Sequence, residues 1–103
     1  PESVSVRVTA SASATAELEA AVRWYEAQRE GLGADFFDAV LECVNRIATH
    51  PEAGSEAFGP LDVRRALVKR FPYQVVYRFR ERELQILAFA HLKRSPDFWK
   101  DRI

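Results

Sequence analysis

From Val63 to Leu92 the chain alternates apolar with polar residues, and the pattern is broken twice. The segments "VRRALVKRF", "YQVVYRF" and "ELQILAFAHL" are separated by Phe71-Pro72 and by Arg80-Glu81-Arg82-Glu83. Period-two alternation bounded by turn residues specifies strands. Connections this short leave only antiparallel neighbours available. A small meander with one apolar face is not stable in water by itself and must be covered. The rest of the chain has to supply that cover.

Upstream, "VSVRVTA" (Val4 to Ala10) reads as one more strand. "SASATAELEAAVRWYEAQREGLG" then reads as a helix. Ser13 is the expected N-cap, with Glu17 near the positive end. Leu18, Ala21, Val22 and Tyr25 share one face, and Gly31 and Gly33 stop the helix. A second helix, "ADFFDAVLECVNRIATHPEAG", carries the stripe Phe37, Val40, Leu41, Val44, Ile47 and Ala48. His50-Pro51 ends it, because a residue before proline avoids the helical region. A loop with Gly54 and Gly59-Pro60 follows. The short link between the helices predicts an antiparallel hairpin. The expectation is one α+β domain over 1–103, of order β-α-α-β-β-β, with the hairpin on one face of an antiparallel sheet. "RSPDFWKDRI" closes it as a short tail or helix, capped by Ser95 with Pro96 at its first position.

Register assigns residues to faces. With Glu81-Arg82 as a two-residue loop, Phe79 faces Leu84, Tyr77 faces Ile86, Val75 faces Ala88 and Tyr73 faces Ala90. That face is apolar and receives the helices, joined by Ala66 and Val68. The other face pairs Arg78 with Gln85, Val76 with Leu87 and Gln74 with Phe89, with His91 beyond. Arg65, Leu67 and Lys69 join it. A slip of one residue would bury cations under the helices. The second face therefore reads as an apolar floor of Leu67, Val76, Leu87 and Phe89 rimmed by Arg65, Lys69, Arg78 and His91, an arrangement that suits an interaction or active surface. The alternative is that Phe98 and Trp99 fold back over the floor.

Charge is divided along the chain. Residues 1–60 hold 4 Lys/Arg against 10 Asp/Glu, and residues 61–103 hold 11 against 5. Either the halves pair with each other or the second half meets an acidic or polyanionic partner. Cys43 is the single cysteine, so no internal disulfide forms, a reducing compartment is expected, and the thiol reads as a small buried hydrophobe. No apolar run is long enough to span a bilayer, and no signal-peptide pattern opens the chain. It starts "PESVS" without Met, as a trimmed end would. Two distant histidines and one cysteine give no metal-ligand spacing, and no phosphate-cradling glycine loop or Ser/His/Asp set is present. No cofactor or metal is expected. Trp24, beside Tyr25 and off the centre of its helix stripe, either packs on the sheet edge or anchors a partner.

"AVRWYEAQREGLGADFFDAV" resembles the helical hairpin of the RelE/ParE superfamily of type II toxins. "HPEAG", "VRRALVKRFPYQVVYRF" and "ILAFAHLKRSPDFW" resemble its downstream motifs, nearest to the ParE-like, plasmid-stabilisation branch. The similarity runs from about Val4 to Trp99. It implies a small cytoplasmic toxin, neutralised by a cognate antitoxin that wraps a partly disordered segment around it. Operator DNA is met only through that antitoxin. ParE-type toxins poison DNA gyrase, trapping it on cleaved DNA; RelE-type toxins cut messenger RNA on the ribosome. An inactive relative that only binds its antitoxin is the third case.

RNA cleavage needs 2′-hydroxyl activation, phosphorane stabilisation and leaving-group protonation. Arg65, Lys69 and Arg78 suit the phosphate. His91 is the proton-transfer candidate, because an imidazole titrates near neutrality; its other reading is a hydrogen-bonding strand end. The C-terminal Tyr of many RelE-type toxins has no counterpart here, where Phe98 and Trp99 stand. That favours gyrase inhibition over nuclease chemistry. The partner surface is expected to comprise Arg65, Leu67, Lys69, Val76, Arg78, Leu87, Phe89, Lys93, Arg94 and Trp99.

Overall fold

The expected meander is present, and one strand is added at each edge. The computed structural model describes residues 6–58, 62–94 and 98–102. In chain order these form β1 (Arg7–Ala10), α1 (Ala12–Gln28), α2 (Leu32–Thr49), a 3-10 turn (Pro51–Ala53), β2 (Ser55–Phe58), β3 (Val63–Leu67), β4 (Tyr73–Arg80), β5 (Glu83–His91) and a second 3-10 turn (Phe98–Arg102). The sheet order is β1-β5-β4-β3-β2. β1 runs parallel to β5, with Arg7 opposite Glu83 and Ala10 opposite Ile86; the other pairs are antiparallel. The sheet is thus mixed rather than antiparallel, because β1 returns to it through the helical crossover. β2 falls where a loop was expected. Four residues between glycines are too few to show a period. The predicted Val4 and Ser5, Gly59-Pro60 and the Ser95-Pro96 cap lie outside the described residues.

Ser11, not Ser13, caps α1. Its Oγ accepts from the Ala14 amide at 3.0 Å, while its own amide donates to the Ile86 carbonyl at 3.1 Å. The last sheet bond and the first helix bond therefore fall on one residue. Ala14 and Ala21 are buried, and Leu18, Val22 and Tyr25 pack against them as the periodicity required.

Gly33 does not stop a helix. It lies inside α2, where a Cβ would stand 2.8 Å from the Val22 carbonyl oxygen and 2.9 Å from Glu26 Oε1. The bare backbone lets α2 press against α1. The break itself is Gly31, at φ +89°. Glu26 caps the start of α2 from the neighbouring helix, accepting from the Gly31 amide (3.0 Å) and the Gly33 amide (2.9 Å). These backbone bonds, Gly31 first, hold its carboxyl below the usual carboxylate range. This docking sets the rotation of α2. Phe36, Ala39, Val40, Cys43 and Ile47 are buried, and Phe37 and Leu41 of the expected stripe are exposed.

Glu81 and Arg82 form the two-residue loop, both at positive φ (51° and 64°) as the mirror-image hairpin turn demands. Phe79 pairs with Leu84, Arg78 with Gln85 and Tyr77 with Ile86, as expected. Then the register slips: Val76 opposes Ala88, Val75 opposes Phe89, Gln74 opposes Ala90 and Tyr73 opposes His91. A bulge at Leu87 sets two residues of β5 against one of β4. Phe89 crosses to the helix side and joins Val75, Tyr77 and Phe36 in the main core. Ala88 leaves that core for the other face.

The far face has its own small core. Trp99, in the C-terminal turn, is 1% exposed and packs with Val63, Val76, Leu87 and Ala88, flanked by Phe98. The tail folds back over the floor.

Candidate functional site

The strand cations split into three environments. Arg78 is spent inside the sheet: its Nε and Nη2 both donate to Gln85 Oε1 (3.0 and 2.9 Å), and Gln85 Nε2 donates to Glu83 Oε1 at 3.1 Å. Glu83 is held below the usual carboxylate range, chiefly by that Gln85 bond. Arg65 is exposed and reaches the buried Gln74 only weakly, at 3.5 Å. Lys69 sits in the five-residue turn between β3 and β4, exposed. Leu67 lies between them, 60% exposed.

His91 does not belong to this face. The slip at Leu87 turns it toward α1, where its ring meets Tyr73 edge-on with centroids 5.4 Å apart. Its Nδ1 accepts from the Lys93 amide at 3.1 Å, so any proton it carries as a neutral ring is on Nε2. Phe89 has moved with it. Val76, Leu87 and Trp99 remain on the expected face but are buried. The expected open floor is therefore closed, apart from Leu67.

Two concave surfaces flank this closed face. The first, of about 540 Å³, runs between α2 and the end of β3. Its lining includes Arg46, Ile47, Arg65, Leu67, Lys69 and Leu92. The pairing of β2 with β3 stops at Ser55 opposite Arg65. Beyond it, the Leu67 carbonyl accepts from Arg46 Nη2 at 2.9 Å and from Cys43 Sγ at 3.6 Å. The second surface, of about 630 Å³, lies between α1 and β5 and includes Trp24, Tyr25, Tyr73, His91 and Arg94. Trp24 is 60% exposed and stands edge-on to Tyr25; it does not pack on the sheet edge. Burial raises the Tyr25 and Tyr73 hydroxyls above the usual phenol range, assisted by Tyr73 and Glu17 respectively.

Glu17 joins the two ends of the chain. It accepts from Arg102 (Nη2 to Oε2 at 2.9 Å, Nη1 to Oε1 at 3.0 Å), from Arg94 at 3.4 Å and from the Phe89 amide at 3.2 Å. Arg102 Nη1 also donates to the Leu87 carbonyl at 3.0 Å, which Ser11 Oγ reaches at 3.4 Å. Arg94 and Arg102 stand over the Phe98 ring at 4.1 and 5.1 Å. β1 ends at Ala10, so these side chains seal the length of β5 it leaves uncovered. Sequence reasoning had Glu17 only as a helix-end charge. A carboxylate in the first turns of a helix gives no sign of a partner 85 positions away.

Among the described residues no three His, Cys, Asp or Glu side chains gather as a metal set. No helix among them is long and apolar enough to cross a membrane.

A family model described as the ParE toxin of the type II toxin–antitoxin system parDE matches residues 8–96. Comparison with curated proteins gives no match. Among solved structures, the chromosomal ParDE toxin–antitoxin system from P. aeruginosa is similar at 19% identity and a TM-score of 0.69, over 84% of this chain and 95% of that one. That likeness is one of fold.

Proposed function

This chain belongs to the ParE toxin family of type II toxin–antitoxin systems, and we propose that a cognate antitoxin holds it inert in the cytoplasm and that the freed toxin inhibits DNA gyrase. The observation that carries the choice of target is the separation of His91 from the strand cations. His91 faces Tyr73 and α1, whereas Arg65 and Arg78 lie across the sheet. A nuclease needs its proton-transfer group within hydrogen-bond reach of the phosphate that its cations hold. Glu83, the carboxylate tied to Arg78 through Gln85, is a poor substitute, because a lowered pKa makes a weak base at neutral pH. What remains is a binding surface of cations and exposed aromatic and aliphatic side chains, which suits a toxin that acts by holding its target.

The test is a supercoiling reaction with gyrase and the purified, antitoxin-free protein. The expected result is loss of supercoiling with cleaved DNA trapped on the enzyme. Undisturbed supercoiling at large molar excess, together with message cleavage in a translation reaction that depends on Arg78 and His91, would establish the nuclease instead. Silence in both assays with antitoxin binding intact would mark an inactive relative.

A further inference from the structure

We propose that the groove between α2 and the end of β3 seats the neutralising segment of the antitoxin, and that this segment is acidic with interspersed apolar side chains. The proposal rests on the toxin–antitoxin reading above and adds where the partner sits and what it must be made of.

Three observations point to this groove. Its rim is cationic and uncompensated. Arg46, Arg65 and Lys69 line it, no acidic side chain does, and among the described residues none of the three is paired with a carboxylate. Its floor is apolar and unburied, with Leu67 60% and Leu92 46% exposed. An apolar floor inside a positive rim excludes a polyanion such as nucleic acid as the best fit, since that would leave both leucines unmatched. It fits carboxylates and aliphatic side chains arriving together.

The third observation is the state of the sheet edge. The uncovered end of β5 is sealed by Glu17, Arg102 and Ser11, a tightly held set. The uncovered end of β3 is held at Leu67 by Arg46, a solvent-facing side chain from α2, with only a weak thiol contact from Cys43 beside it. Swinging that guanidinium onto an incoming carboxylate frees the Leu67 carbonyl for a backbone amide of the partner, and so costs the toxin little. Edges left open in this way are the ones partner segments use. The groove beside Trp24 has the larger aromatic surface, but its charge is mixed, since Glu17 lines it along with Arg94.

The experiment uses the toxin co-expressed with the antitoxin of its own module. Benzoylphenylalanine is placed at position 67 or at position 24, and the complex is irradiated. Cross-linking to the antitoxin from position 67 is expected. In parallel, Arg46→Glu with Lys69→Glu should raise the dissociation constant by roughly 100-fold and flatten its salt dependence, with circular dichroism confirming the fold. Cross-linking from position 24 alone, with the charge-reversed toxin binding within about threefold of wild type, would overturn the assignment while leaving the toxin–antitoxin reading standing. Failure of the unmodified toxin to form any complex would overturn both.

Discussion

Replacing Trp99 with alanine should cost about 3–5 kcal/mol, the usual range for deleting a buried aromatic side chain. The structure sets the scale. Trp99 is 1% exposed and contacts Val63, Val76, Leu87 and Ala88 on the far face of the sheet. An indole removes about 200 Å² from water, which at about 25 cal/mol/Å² is worth about 5 kcal/mol before the retained methyl is subtracted. Val63, Val76, Leu87 and Ala88 are strand residues fixed by the ladder and cannot move in to refill that space. Small domains are stable by only about 5–15 kcal/mol, so the loss is a large share of the total. With a urea slope of about 1.5 kcal/mol/M the midpoint falls by about 2–3 M. Far-UV circular dichroism reads this without relying on tryptophan emission. Trp24→Ala is the control: at 60% exposure it should cost less than about 0.5 kcal/mol. A Trp99 variant that loses under about 1 kcal/mol, with an unchanged slope, would mean that the tail does not pack in solution and that the sheet face is open.

Gly33→Ala should destabilise by about 1–3 kcal/mol, reversing the ordinary gain of alanine inside a helix, because its methyl would meet the Val22 carbonyl and Glu26; a variant as stable as wild type in urea would show that the helices separate freely. Glu26 binds its proton less readily in the folded chain than in the unfolded one, so its contribution is complete above the ordinary carboxylate range and is lost as pH falls from that range through the lowered folded-state value. Glu26→Gln should therefore lower the melting temperature near about pH 7, by a gap that narrows as the pH falls toward about 3; an equal gap at both would refute the capping role. Burial raises the Cys43 thiol, Arg46 opposing it weakly, so a disulfide reagent should not label the native protein and should label it once urea unfolds it; rapid native labelling would show that the α2–β3 contact opens.

The meander, the helical hairpin and the two-residue turn were legible because each rests on local chemistry: alternation, a glycine break, and two charged residues at a strand reversal. The bulge at Leu87 was not. Leu87, Ala88, Phe89 and Ala90 are four apolar residues in a row, and a strand apolar on both faces does not fix its own register. One slipped position carried Phe89 into the main core and His91 across the sheet. What holds β5 there comes from far away, through Ser11, Glu17 and Arg102. The rotation of α2 was hidden for a similar reason. Phe36 and Phe37 are equally apolar, and the choice between them is made by Gly33 against α1. Arg65 and Leu67 lie on the expected side because β3 pairs with β4 without a register shift, Arg65 opposite Val76 and Leu67 opposite Gln74.

The parallel pairing of β1 with β5 bears on how the protein is made. Ser11 and its Leu87 partner are 76 positions apart, so the first strand has no neighbour until β5 has left the ribosome. At about 5–20 residues per second, that leaves it unpaired for several seconds. The helical hairpin, whose contacts are local, can form during that wait, and the sheet closes only once β5 is available. Arg102 arrives later still, and with it the bonds to Glu17 and Leu87. A toxin built in this order has no finished sheet until β5 is in place beside β1.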